Sequence, residues 1–214
     1  MKYLLLLNCL FLSCSLAKKQ VVTIKEQSKQ ILLDKKKLYI VCRGTYSKSA
    51  LIAEKFNIQD QNISHCGIGF IKNDGLCIYH VSDIKSSNTC LVIDSLASFR
   101  QSPDIFYLSI WACKVNAKTL KKIKSNCEAY TQKKIDFDYN FTLDSSNALY
   151  CSEFCSIILK SANRPKFNFK PLDLQLNNEF YETILNRKVL CYFPVDFFED
   201  NIGFIKIYEW KASK

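Results

Sequence analysis

The stretch His65-Cys66-Gly67-Ile68-Gly69-Phe70-Ile71, Lys72-Asn73-Asp74-Gly75, Leu76-Cys77-Ile78-Tyr79-His80-Val81 decides the fold. Two apolar runs flank an Asp-Gly pair, a strong signal for an antiparallel hairpin. With a four-residue loop over 72–75, Ile71 pairs with Leu76 and Gly67 falls opposite His80. His65 then lies two positions further along on the same face. A diagonal pair of this kind is separated by about 7–8 Å. Gly67 has no side chain, so His80 or a substrate can reach across its position. A two-residue loop would keep both histidines on one face but further apart. The chain has only two histidines, so any imidazole chemistry belongs to this hairpin.

Outward from the hairpin the patterns alternate. Leu38–Cys42 reads as a short strand ending at the turn signal Arg43-Gly44, and Ser47–Phe56 as a helix. Residues 89–94 and 105–111 read as strands, and Ala117–Gln132 as an amphipathic helix with exposed lysines. Leu149–Ala162 is a second clear helix, and late strands fall at 188–193 and 203–210. Residues 18–37 are polar and lysine-rich, and read as a tether or a peripheral helix around Glu26–Leu33. The order implies an α+β fold, a mostly antiparallel sheet packed against helices in a single domain over residues 38–214.

The length of 214 residues suits one domain with a real core, and 48% hydrophobic content is ordinary for a globular protein. Residues 1–17 have the anatomy of a signal peptide: one early lysine, an apolar run, then small residues. Two processing readings compete, cleavage after Ser15-Leu16-Ala17 or a loose lipobox with lipidation of Cys14. Both make the protein exported, periplasmic or secreted, and the second anchors it through lipid. The net charge of +10 fits association with an anionic envelope or membrane surface. No nucleic-acid motif accompanies it. Of eleven cysteines, nine lie beyond the signal segment. Setting Cys151 aside leaves an even number that could pair, or serve as small buried apolar residues.

Cys151, in Leu149-Tyr150-Cys151-Ser152-Glu153-Phe154, is the candidate nucleophile. Ser145, Ser146 and Asn147 are all available as N-caps of the helix that follows. A cysteine in the first turn feels the partial positive charge of the helix N-terminus, which favours thiolate. His65 would be the base and His80 the residue that orients it, with Asp83 as second choice and Glu153 as a further option. Tyr150 and Gly67 are candidate substrate contacts. A zinc site from these residues would match no standard ligand spacing, so neither a metal nor a cofactor is expected.

These motifs resemble a known family. Ser64-His65-Cys66-Gly67-Ile68-Gly69-Phe70 looks like the histidine strand of the circularly permuted, NlpC-type papain-like cysteine hydrolases, the YiiX/YebB-like group. Leu149–Phe154 resembles that group's cysteine helix start. Phe137-Asp138-Tyr139-Asn140-Phe141 is similar to the segment preceding it, and Val41-Cys42-Arg43-Gly44 to a worn upstream motif. The resemblance covers roughly residues 38–165. It implies a permuted papain-like fold, with Cys151 as nucleophile and His65 as general base. The family's third residue is often glutamate; His80 stands there instead. Asp138 and Glu153 match family positions and are expected to be structural. The implied activity is that of an exported thiol hydrolase, an amidase or peptidase with acyltransfer as a variant. It would cleave a peptide, a peptidoglycan crosslink or a lipid-type acyl-amide through a thioester. The competing expectation is a catalytically weakened binding protein for small amines, peptides or lipids.

Overall fold

The computed structural model describes residues 21–26, 29–86, 88–101, 104–143 and 147–212. In chain order the elements are β1 (Val21–Glu26), β2 (Lys29–Asp34), β3 (Lys37–Thr45), α1 (Lys48–Lys55), β4 (His65–Lys72), β5 (Gly75–Ser86), β6 (Thr89–Ser95), α2 (Leu96–Phe99) and β7 (Ile105–Lys114). Then come α3 (Ala117–Tyr130), β8 (Asp136–Phe137), β9 (Ala148–Leu149), α4 (Cys151–Ala162), β10 (Leu172–Gln175), α5 (Glu179–Leu185), β11 (Val189–Tyr192) and β12 (Phe204–Lys211).

Six strands form one antiparallel sheet in the order β12-β7-β3-β4-β5-β6. The expected α+β architecture is therefore present. At the central hairpin Ile71 pairs with Leu76 as expected, but pairing continues to Lys72 with Gly75, so the loop has two residues and not four. Because the register is unchanged, the wider separation expected of a two-residue loop does not arise. The turn narrows to Asn73 and Asp74, both with positive φ of 48° and 62°. Asn and Asp tolerate that left-handed backbone, which matches the twist of the flanking strands.

Both faces of the sheet are covered. On one face Leu38, Ile40, Ile68 and Phe70 pack with Phe154, Ile158 and Leu159 of α4 and Ile123 and Cys127 of α3. On the other, Tyr39, Val41, Ile78 and Ile110 pack with Phe99, Leu96, Ile31 and Leu33. Ile31 and Leu33 come from β2, so the expected peripheral helix around Glu26–Leu33 is replaced by the β1–β2 hairpin. The physical reason is the period: Ile31 and Leu33 are buried while Leu32 between them is 64% exposed, an alternation that only a strand produces. The expected signal segment over residues 1–17, with Cys14, lies outside the described residues. Among those described, no helix is long and apolar enough to cross a membrane.

Candidate active site

Three adjacent strands assemble the imidazole chemistry. His65 opens β4, directly across from Arg43 of β3. His80 lies on β5, and the Gly67 position is filled from across the strand. A Cβ at Gly67 would meet the His80 Cβ at 2.9 Å and Ile78 Cγ2 at 2.7 Å. Glycine there lets the His80 ring approach His65. The third strand, β6, pairs Ile78 with Asp94 and His80 with Val92, which makes Asp94 the diagonal neighbour of His80.

The result is a chain of hydrogen bonds. His65 Nε2 lies 2.9 Å from His80 Nδ1, and His80 Nε2 lies 2.9 Å from Asp94 Oδ2. A carboxylate only accepts, so His80 Nε2 carries a proton and donates it to Asp94. In neutral His80 the Nδ1 is then the acceptor, and it takes the Nε2–H of His65. That commits His65 Nε2 and leaves Nδ1, as a lone pair, for the thiol. Cys151 and His65 line the same cavity and each perturbs the other's protonation, so the tautomer set by Asp94 leaves toward that cavity the lone pair a base requires. Phe99 walls both rings, with centroids 5.0 Å from His80 and 5.7 Å from His65. The Arg43 guanidinium stacks 4.6 Å over the same phenyl ring and donates to the Phe99 carbonyl at 2.6 Å.

Cys151 is the first residue of α4, and its approach is braced. The short parallel pairing of β8 with β9 is extended by Asp136 N to Asn147 O at 2.8 Å and Asp138 N to Leu149 O at 3.1 Å. The Asp138 carboxylate accepts from Asn140 N, Thr142 N and Thr142 Oγ1, which is the structural role expected of it. Phe193 N donates to Tyr150 Oη at 2.8 Å, and Ser152 Oγ donates to the Phe193 carbonyl at 2.7 Å. The helix cap is Tyr150, without a side-chain hydrogen bond. This corrects the expectation of a Ser145, Ser146 or Asn147 cap. Ser145 and Ser146 lie outside the described residues, and Asn147 is spent on the β8–β9 connection.

The electrostatics also correct an expectation. Cys151 is not shifted toward thiolate: its hydrogen bond with Cys66 and its burial push the thiol well above its ordinary range. Burial pulls His65 down to about 4, opposed by Cys151 and reinforced by the Arg43 charge and by His80. Burial also lowers His80, against the pull of its bond to Asp94. The resting pair is therefore neutral thiol and neutral imidazole. For the thiol the Cys66 interaction and burial together, and for the imidazole burial, outweigh the helix-terminus field.

A cavity of about 500 Å³ opens onto Cys151 and His65. Its walls are mainly apolar and aromatic, including Phe56, Phe141, Tyr150, Tyr192 and Phe193. Tyr150 lines the cavity. Gly67 does not line it, because His80 takes that space; its contribution is to the base and not to a ligand. Asp83 lines the cavity and Glu153 is buried on α4; the partner of His65 Nε2 is His80. Asp94 was missed from sequence. Residues 89–94 read as a strand, but no turn motif fixes how β6 registers against β5.

No family model matches the chain, and no curated protein matches it. Among solved structures, the metalloprotein yiiX from Escherichia coli O157:H7 (DUF1105) aligns at a TM-score of 0.58 with 11% identity. The alignment covers 81% of this chain and 97% of that one. A likeness at that identity is one of fold. Among the described residues here, no group of three or more His, Cys, Asp or Glu side chains is arranged to hold a metal ion. Both His80 nitrogens and Nε2 of His65 are already engaged in hydrogen bonds. This donor set does not fit a metal, and the chain has the fold of yiiX.

Proposed function

We propose that the protein is a thiol-dependent acyl hydrolase acting on an amide or ester held in the 500 Å³ cavity. The observation that carries the reading is the Asp94–His80–His65 hydrogen-bond chain with a thiol at its far end. In the proposed reaction Cys151 sulfur attacks the substrate carbonyl while its proton passes to His65 Nδ1. Since the resting pair is neutral, attack and proton transfer proceed together, and no preformed ion pair is needed. The tetrahedral oxyanion is held by first-turn amides of α4, which carry no side-chain cap. His65 then protonates the leaving group, and water activated by the same nitrogen hydrolyses the thioester. Peptide, peptidoglycan-type and lipid-type acyl groups are the proposed substrates. An exported location beside an anionic surface, consistent with the +10 charge, is part of the same proposal.

A second reading draws on the same electrostatics. A thiol pushed up and an imidazole pulled down suit a weakened enzyme that binds small amines, peptides or lipids without turnover. One experiment separates them. The protein is incubated with p-nitrophenyl butyrate and analysed for nitrophenolate release and for acylated Cys151 by mass spectrometry. The hydrolase reading expects release that is abolished in Cys151→Ala and His65→Ala. Equal release from wild type and both variants would sink it.

A further inference from the structure

Behind the cavity-facing thiol lies a nest of three more. Cys42 and Cys66 face each other as direct partners across β3 and β4. Cys66 Sγ lies 3.9 Å from Cys155 Sγ, and Cys66 and Cys151 each perturb the other's thiol. Cys151 and Cys155 are one turn apart on α4. All four are buried free thiols, and only Cys151 of the four lines the cavity.

Buried cysteines commonly serve as small apolar residues and are chemically inert. Three of these four differ in their mutual contact. A disulfide needs sulfurs at about 2.05 Å; Cys66 Sγ is already 3.9 Å from Cys155 Sγ, and Cys151 stands one turn before Cys155 on α4, at the end of the nest that meets the cavity. We propose that Cys151 and Cys66 form an oxidation site, in which a hydroperoxide admitted by the cavity oxidises Cys151 and Cys66 resolves the product as an intramolecular disulfide.

The step balances as follows. Cys151 passes its proton to His65 as its sulfur attacks the peroxide's terminal oxygen. The O–O bond breaks and an S–O bond forms. The leaving alkoxide or hydroxide takes the proton from His65 and departs as an alcohol or water. Cys66 sulfur then attacks the Cys151 sulfenic acid; the S–O bond breaks, the S–S bond forms, and the Cys66 proton leaves with hydroxide as water. Two thiols lose two electrons and the peroxide gains them. Burial pushes the Cys66 thiol well up, which keeps it from reacting first with the oxidant. The disulfide both occupies the candidate nucleophile and shields it from irreversible oxidation to sulfinate. The site depends on the contact between the thiols and not on hydrolysis.

The test is a disulfide map. The full-length protein is treated with hydrogen peroxide, blocked with N-ethylmaleimide, denatured, and cleaved after Lys, Arg and Glu. Cleavage after Glu153 separates Cys151 from Cys155. The expected result is a cross-linked peptide pair carrying Cys66 and Cys151, released by dithiothreitol. In Cys66→Ala the expectation is sulfinic acid at Cys151 and no bridge. The proposal is overturned if wild-type Cys66 is recovered alkylated while Cys151 is a thiol or a sulfinic acid. It is equally overturned if Cys66 bridges only to Cys155 or Cys42. The wild-type map decides even if Cys66→Ala fails to fold. Because it needs no turnover, a protein inert toward esters can still give the bridge, and failure of the hydrolase reading is read separately.

Discussion

Replacing Asp94 with alanine probes the whole hydrogen-bond chain from its end. In the wild type His80 Nε2–H donates to Asp94 Oδ2 at 2.9 Å, and His80 is 2% exposed, so water is a poor substitute for the carboxylate. A hydrogen bond to a charged group contributes roughly 1.5–3 kcal/mol. Asp94 therefore favours the chain in which both histidines donate from Nε2 by about that amount. Without it the opposite polarity becomes comparable, with His65 carrying its proton on Nδ1 and unable to accept from the thiol. At about 1.4 kcal/mol per decade, acyl transfer to Cys151 should fall roughly 10- to 150-fold. Asp94→Asn keeps an acceptor oxygen but not the charge, and should fall near the lower bound. The assay is nitrophenolate release from p-nitrophenyl butyrate, with far-UV circular dichroism and urea unfolding to establish that each variant is folded. Folded Asp94→Ala turning over within threefold of wild type would refute the tautomer argument.

The same argument fixes the ring protons at neutral pH: Nε2 protonated and Nδ1 bare in both histidines. Nitrogen-15 spectra of the imidazoles check this directly, because the chain has only two. The depressed His65, about 4 against roughly 6.5 when unfolded, means the unfolded chain binds more protons between those values. Stability contributed by the neutral ring is thus full above about pH 6.5 and lost, by about 3 kcal/mol, as pH falls toward 4. Glu54 and Glu199, both pushed up to about 7 by burial, act in the opposite sense. The urea midpoint should therefore be compared with His65→Asn, which should show less loss in acid than wild type. Gly67→Ala drives a methyl to within 3.0 Å of Ile78, His80 and the Tyr79 carbonyl, and should cost about 1–3 kcal/mol while also slowing turnover. Leu33→Ala, fully buried beneath the β1–β2 hairpin, should cost about 2–5 kcal/mol in urea unfolding with turnover unchanged.

What could be read in the sequence was what local periodicity encodes. The hairpin register followed from two apolar runs and a turn, and with it the opposition of Gly67 and His80. Helix α4 was visible because its apolar positions recur with helical spacing around an obvious start. The β1–β2 hairpin was not, because lysines and glutamines interrupt its alternation and only burial of Ile31 and Leu33 against the sheet fixes it as strand. The β8–β9 pairing joins two-residue segments eleven positions apart, too short to carry a pattern. The site divided in the same way. His65 and His80 share one local hairpin, and Cys151 announced itself by context. Asp94 depends on the β5–β6 register, which includes a shift between Val81 and Ser86 and leaves no mark in composition. The upward shift of the thiol comes from Cys66, on a strand distant in sequence, and from burial, neither of which a helix-terminus argument includes.

Histidine at position 80 looks at first like a weaker orienting group than a carboxylate would be. In the hydrogen-bond chain a carboxylate stands one ring further back, at Asp94. When His65 takes a proton on Nδ1, its Nε2 proton can cross the 2.9 Å bond to His80 Nδ1. The positive charge then rests on His80, 2.9 Å from Asp94, and not on His65 beside the Arg43 charge. Coulomb attraction varies inversely with separation, so bringing the charge one ring and one hydrogen bond nearer to Asp94 more than doubles it. The same transfer explains how an imidazole held down to about 4 can still serve as base: it need not keep the proton's charge, only pass it inward. His80 is itself lowered by burial and by the Arg43 charge, with Asp94 opposing, so the carboxylate is the group that favours the transfer. The proposed turnover therefore rests on Asp94 more than on the identity of residue 80.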